Sequence, residues 1–230
     1  MDSDTSSKNL VVAGLEQPEF LVDKAHDAIQ SAILRNELKP GTLISEGALS
    51  KQLGISRTPI REALKRLQEH GFVRIMPHRG AFITNVSAEN IVEMYQLREA
   101  LECYAIQFVP QYGDPAELEK LVGDFEQSAK WVETGDVDKV NDADTRLHRY
   151  IASASRNRPL IKLVDQLLGQ VTRLRAMTPT VPGRLATQVQ EHLRIVYALK
   201  AANVEEARRA LRDHLQTVRD TALQFRLRVQ

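Results

Sequence analysis

From Leu21 to Leu34 the apolar residues Leu21, Ala25, Ala28, Ile29, Ala32 and Ile33 recur at spacings of three and four. That is the stripe with which a helix covers a core. Lys39-Pro40-Gly41 ends the helix, and Leu43 and Ile44 form a very short extended piece. Ser45 suits the N-cap of a helix running through Leu53 and closed by Gly54. Ser56 opens another: a proline in the first turn forfeits no intrahelical hydrogen bond, so Pro59 is tolerated and the helix runs to His70, with Gly71 at its end. The period then changes. Phe72, Val73, Ile75 and Met76 on one side, and Ala81, Phe82, Ile83 and Thr84 on the other, flank Pro77-His78-Arg79-Gly80, which predicts a β-hairpin.

Beyond Ser87 the period is helical to the end, broken at Gly113-Asp114-Pro115, Gly135-Asp136, Arg156 to Pro159, Pro179 to Gly183 and Ala202-Asn203. These breaks predict about six helices. Asn203 with Glu206 makes a capping-box-like start for the last of them. Residues 1–18 carry no sustained period and read as a flexible tail. The expected organisation is a tail (1–18), a small α+β module (19–85) and an all-helical domain (87–228), a mainly α protein.

Composition removes several classes. With 230 residues, 43% hydrophobic and 27% charged, the chain can bury a sizeable core and is neither disordered nor a repeat fibre. The single Cys103 excludes an internal disulfide. No secretory leader pattern opens the chain and no apolar run reaches membrane-spanning length, so the expectation is a cytoplasmic protein without membrane partners.

A net charge of +1 decides nothing, but its distribution does. Between Lys51 and Gly80 the basic residues Lys51, Arg57, Arg61, Lys65, Arg66, Arg74 and Arg79 face only Glu62 and Glu69. Arg57, Arg61 and Lys65 follow at intervals of four and so share one helix face. An arginine early in such a helix can read guanine through two parallel hydrogen bonds, while Thr58 and the helix N-terminal amides suit a phosphate oxygen. A lone basic stripe is ordinarily a solvated face. Here it lies on the second of two capped helices with a basic-tipped hairpin behind, the order of a winged helix-turn-helix.

The stretch Ser45-Glu46 to Leu49-Ser50, then Leu53-Gly54-Ile55-Ser56-Arg57-Thr58-Pro59-Ile60-Arg61-Glu62-Ala63-Leu64, followed by Leu67 and Gly71, resembles the DNA-binding domain of GntR-type bacterial transcription regulators. The resemblance implies operator contact through Ser56, Arg57, Thr58 and Arg61, supported by Lys65, with His78, Arg79 and Gly80 at the wing tip. It also implies a homodimer on an inverted repeat of double-stranded DNA. Gly47 stands where many members carry a basic residue.

In the helical region Asp144 and His148 are four apart and share a helix face, while His192 and His214 lie on later helices. One carboxylate and three imidazoles suit a divalent transition metal such as Zn, Ni or Mn. Taken singly, each histidine is more simply a surface or core-edge residue. Leu97-Arg98, Leu101-Glu102, Asp144 with Leu147-His148, Asn157 to Leu160, Glu191-His192 with Ile195, and His214-Leu215 together resemble the metal-binding form of the FCD ligand-binding domain of the FadR subgroup. This implies Asp144, His148, His192 and His214 as metal ligands, a small carboxylate effector completing the metal shell, and Arg98 as the pocket arginine. Arg98 reads equally as the i+4 ion-pair partner of Glu102. Arg173 and Arg175 are weaker candidates that cannot easily face one pocket. His26 reads as surface, His70 as complementing a helix dipole, and Trp131 and Tyr104 as core or interface aromatics.

The function expected is a DNA-binding regulator, acting as a repressor, whose operator affinity a metal-bound carboxylate modulates. The competing readings are a regulator answering to the metal itself and a helical metalloenzyme fused to a DNA-binding module. No general base or nucleophile motif accompanies the ligands, so an enzyme is not expected.

Overall fold

The structure is a computed structural model describing residues 18–35, 37–77, 79–177 and 183–228. The expected tail up to residue 17, His78 at the wing tip, and most of the break from Pro179 lie outside the described residues. The fold is mainly helical, and contacts divide it into two compact units. One takes the chain to Gln68 together with Val73–Ile83; the other takes Glu69–Phe72 and everything from Thr84.

The smaller unit comprises α1 (Pro18–Leu34), β1 (Leu43–Ile44), α2 (Glu46–Leu53), α3 (Arg57–Glu69), β2 (Val73–Met76) and β3 (Gly80–Ile83). In α1 the buried side of the stripe is Val22, Ala25, Ile29 and Ile33. Ser45 caps α2 by accepting a hydrogen bond from the Ala48 amide at 3.0 Å. Ile60, Ala63, Leu64 and Leu67 bury one face of α3, so the opposite face, with Arg57, Arg61 and Lys65, is exposed. The extended pair Leu43–Ile44 joins the hairpin as a third antiparallel strand, in the order β1-β3-β2. Period two along β3 buries Ala81 and Ile83 against the helices.

The larger unit contains α4 (Ala88–Ala105), a 3-10 turn (Ile106–Phe108), α5 (Val109–Tyr112), α6 (Pro115–Thr134), α7 (Val137–Ala154), α8 (Arg158–Met177), α9 (Arg184–Lys200) and α10 (Val204–Arg228). Ser87 and Asn90 form a reciprocal capping box at α4. Asp114 accepts from the Ala116 amide at 2.9 Å, and Asn203 from the Glu206 amide at 3.1 Å. The segment before Gly113 differs from the sequence expectation, because the helix opened at Ser87 does not run through unbroken. Pro110 has no amide hydrogen and its ring crowds the carbonyl four residues back, so the chain tightens at Ile106–Phe108 and restarts as one turn.

α10 packs on α9 and α4, α6 on α9 and α7, and α7 on α8 and α4. Phe125, Leu147, Ile151, Val164, Ile195 and Leu211 are fully buried where these helices meet. No helix among the described residues is long and apolar enough to cross a membrane.

Two glycines of this unit provide opposite tests of the packing. A Cβ on Gly113 would lie 2.4 Å from the Tyr150 hydroxyl and 2.7 Å from the Val109 carbonyl oxygen, whereas one on Gly123, inside α6, would meet nothing within 4 Å. Gly113→Ala should cost about 1–3 kcal/mol through overpacking. Gly123→Ala should stabilise by about 0.5–1 kcal/mol through helix propensity. Urea midpoints for the two variants should therefore move in opposite directions.

Candidate functional site

Asp144 and His148 lie one turn apart on the buried face of α7, His192 on α9 and His214 on α10, none more than 1% exposed. Packing of the three helices brings their ligand atoms within 4.8 Å of one another. The Nε2 atoms of His192, His148 and His214 stand 3.0, 3.8 and 3.9 Å from Asp144 Oδ1. That of His148 has no hydrogen-bond partner among the described residues. Phe125 stacks on the His192 ring at 4.7 Å and walls the cluster on one side.

The far nitrogens of two rings are anchored. His148 Nδ1 meets Glu102 Oε2, and His214 Nδ1 meets Glu191 Oε2 at 2.8 Å. A carboxylate on Nδ1 keeps the proton there and leaves the Nε2 lone pair facing inward, the arrangement that prepares an imidazole for a metal. Each carboxylate is itself held: Arg98 Nε donates to Glu102 at 2.7 Å, and Arg184 donates twice to Glu191 at 3.0 Å.

Burial lowers His192 below the ordinary histidine range and takes His214 down to about 3. Both imidazoles are therefore neutral near pH 7, as a metal ligand must be. Burial pushes Asp144 the other way, but the Arg175 guanidinium overrides it and holds the carboxyl well below its usual range. Burial likewise opposes ionisation of Glu102, yet Arg98 and His148 bring it down to about 2.

Three inward-facing imidazole nitrogens around one ionised carboxylate oxygen fit a divalent transition metal, and that of His148 is otherwise buried without a partner among the described residues. Arg175 donates to Asp144 Oδ2 at 2.5 Å and Gln188 to Oδ1 at 3.1 Å. Arg98 is 1% exposed and lies in the Glu102 ion pair, but its second terminal nitrogen has no partner among the described residues. Of the two weaker candidates, Arg175 reaches the cluster, while Arg173 donates instead to the Gly71 carbonyl and to Thr84.

Glu102, Glu191 and Gln188 belong to the site but were not legible as such. Glu102 showed only as the i+4 partner of Arg98, Glu191 only as the neighbour of His192, and Gln188 carried no signal at all. His26 is half-buried beside Asp27, at 3.0 Å, rather than on the open surface.

The expected DNA-contacting residues, Ser56 just before α3 and Arg57, Thr58, Arg61 and Lys65 on it, are all exposed. Arg61 is engaged by Glu46 on α2 through paired contacts at 3.0 and 2.8 Å, and Lys65 by Glu62 at 2.7 Å. These pairs are solvent-exposed and weak, so exchanging them for phosphate or base contacts costs little. The Arg57 guanidinium lies beside Gly47, where a Cβ would stand 3.5 Å from it. At the wing Arg79 is exposed, while Gly80 pairs with Met76 at φ +102°, with its Cα side pressed to the Ile44 carbonyl, a place that admits only glycine.

Residues 21–83 match the bacterial regulatory proteins of the gntR family, and residues 93–217 match the FCD domain. The chain is 29% identical over 201 residues to the uncharacterized HTH-type transcriptional regulator YdhC of Bacillus subtilis (strain 168), covering 87% of this chain and 90% of that protein. It is 30% identical over 197 residues, 85% of each chain, to the probable D-xylose utilization operon transcriptional repressor of Paenarthrobacter nicotinovorans. Among solved structures, E. coli McbR/YncC shares the fold with a TM-score of 0.74 at 23% identity, covering 89% of this chain and 97% of that one. The relatives are transcription regulators, not enzymes. This chain belongs to the GntR family of DNA-binding transcriptional regulators, in the FadR subgroup that joins a helix-turn-helix to an FCD domain.

Proposed function

We propose that this regulator is a repressor that binds an inverted-repeat operator as a homodimer, and whose grip changes when a small carboxylate joins a metal held by Asp144, His148, His192 and His214. The observation that carries the reading is the buried cluster itself, in which ligand atoms of Asp144, His148, His192 and His214 lie within 4.8 Å of one another and the His148 Nε2 has no hydrogen-bond partner among the described residues. Such groups are costly in a core unless a ligand uses them. Repression follows the role named for the Paenarthrobacter relative, a probable operon repressor.

The chain's own residues divide the task. Glu102 and Glu191 orient two of the rings, Arg175 and Gln188 hold Asp144 ionised and fixed, and the open terminal nitrogen of Arg98 supplies a buried donor for an anionic oxygen. A divalent ion bound here supplies Lewis acidity and open coordination positions for a carboxylate oxygen. On the DNA side, Ser56, Arg57, Thr58, Arg61 and Lys65 contact the major groove, and His78, Arg79 and Gly80 form the wing. A carboxylate acts only through a difference in its affinity for two arrangements of the protein, so it must favour one of them.

Selecting duplexes from a random library with the full chain should yield an inverted repeat, and sedimentation should show a dimer on it. A monomer bound tightly to a single half-site would refute the dimer reading. Against the selected duplex, Arg57→Ala and Arg61→Ala should each lose about 1–3 kcal/mol of binding. Elemental analysis should find a divalent metal that His192→Ala and His214→Ala lose. A carboxylate panel should raise the melting temperature of the metal-loaded wild type and not of those variants. Equal responses in a metal-free His192/His214 double variant would refute the mechanism.

The metal-free protein should also be acid-labile. His214 titrates near 6.5 when unfolded and at about 3 when folded. Between those values the unfolded chain binds the extra proton, so stability is complete above pH 6.5 and falls as the pH is lowered. Glu102, with a folded value of about 2 against 4.5, adds a second loss below pH 4.5. Thermal melts should therefore decline from pH 6.5 downward, and His214→Gln should flatten the first part of that decline.

A further inference from the structure

Arg173 sits on α8 with 2% of its surface exposed. Its two terminal nitrogens hold two separate stretches of chain within the larger unit. One donates to the Gly71 carbonyl oxygen at 3.0 Å and to the Thr84 hydroxyl, and the other to the Thr84 carbonyl oxygen. Its guanidinium carbon lies 5.8 Å from the centre of the Phe72 ring. Thr84 closes the node by bonding Phe72, the amide to the carbonyl oxygen at 3.1 Å and the hydroxyl to the same oxygen at 3.1 Å. Gln170, one turn before Arg173, crowds Gly71 so closely that a Cβ there would lie 3.2 Å from its side chain.

These contacts fall at particular places in the chain. Gly71 follows the end of α3 at Glu69, and Thr84 follows the end of β3 at Ile83. The chain therefore leaves the larger unit after Phe72, builds the hairpin, and returns at Thr84, and one guanidinium spans both crossings. The recorded partners of Arg173 are carbonyl and hydroxyl oxygens, not carboxylates, so desolvating its charge is offset by no ion pair there. What arginine offers that a neutral donor does not is a planar fork able to tie two segments at once.

On the same helix Arg175 points elsewhere. Two residues advance about 200° around an α-helix, and Arg175 reaches Asp144 of the candidate metal site.

We propose that Arg173 is a positioning residue for operator binding: it pins the end of the recognition helix to the return from the wing, and α8 makes that clamp the far end of the Asp144–Arg175 pair. The first half stands on the crossing alone. The second half, in which occupancy of the metal site alters operator affinity through α8, rests on the function proposed above.

The test uses full-length protein, the duplex selected by the wild type, and zinc alone as the probe of the metal site. Arg173→Gln should keep the wild-type zinc stoichiometry and unfolding midpoint, yet bind the duplex roughly tenfold or more weakly. Its affinities with zinc and with chelator should converge. Arg173→Lys should restore only part of the affinity, because a single ammonium cannot bridge both crossings. Thr84→Val, which removes the hydroxyl at nearly constant shape, should weaken duplex binding in the same direction and decides the matter if Arg173→Gln does not fold. Wild-type duplex affinity in folded Arg173→Gln, or in Thr84→Val where that variant decides, overturns the positioning role. A wild type indifferent to zinc, with Arg173→Gln still weakened, supports the clamp and overturns its link to the metal site.

Discussion

A carboxylate with no solvent exposure, in the middle of a helical bundle, sets the terms for everything around it. Asp144 remains ionised because a cation and a donor reach it from two other helices, Arg175 from α8 and Gln188 from α9. Two of the imidazoles beside it have partners of their own in the low-dielectric interior, Glu191 for His214 and Glu102 for His148, with Arg184 and Arg98 behind them. The result is a continuous polar network through the core, and α4, α7, α8, α9 and α10 each contribute to it. Removing one member strands another, so the polar network specifies the relative setting of those helices more sharply than the surrounding leucines and valines can.

The fold was legible wherever a local rule sufficed. Period and caps located the two helices of the helix-turn-helix, the hairpin and most breaks of the helical domain, because Ser45, Ser87, Asp114 and Asn203 act on amides within three residues. The site was legible to the extent that one helix carried it, since Asp144 and His148 share a face by spacing alone. Adding His192 and His214 took the family resemblance. The orienting carboxylates could not be read this way: the contact of Glu102 with His148 spans 46 residues, and that of Glu191 with His214 spans 23. Pro110 carried the missed helix break in plain view, hidden by an apolar pattern that ran on through it.

The exposed face of α3 obeys the opposite physics. Its arginines are exposed, and Arg61 rests on Glu46 in a pair that water and salt already weaken. Such a surface is kept ready at small energetic cost, whereas the buried network is rigid and expensive to disturb. A regulator needs both: a surface that exchanges partners readily, and an interior with few arrangements open to it.

The clamp at Gly71 and Thr84 also bears on how the protein is made. Thr84 precedes Arg173 by 89 residues, and His214 lies on the last helix. While the chain emerges from the ribosome, the helix-turn-helix and hairpin are complete long before the guanidinium that ties their ends exists, and the cluster around Asp144 closes last of all. A nascent or prematurely terminated chain therefore carries the basic recognition surface without either the clamp or the ligand set. The Asp144 cluster is complete only with α10, and a fragment cut near residue 85 carries the basic face of α3 without it.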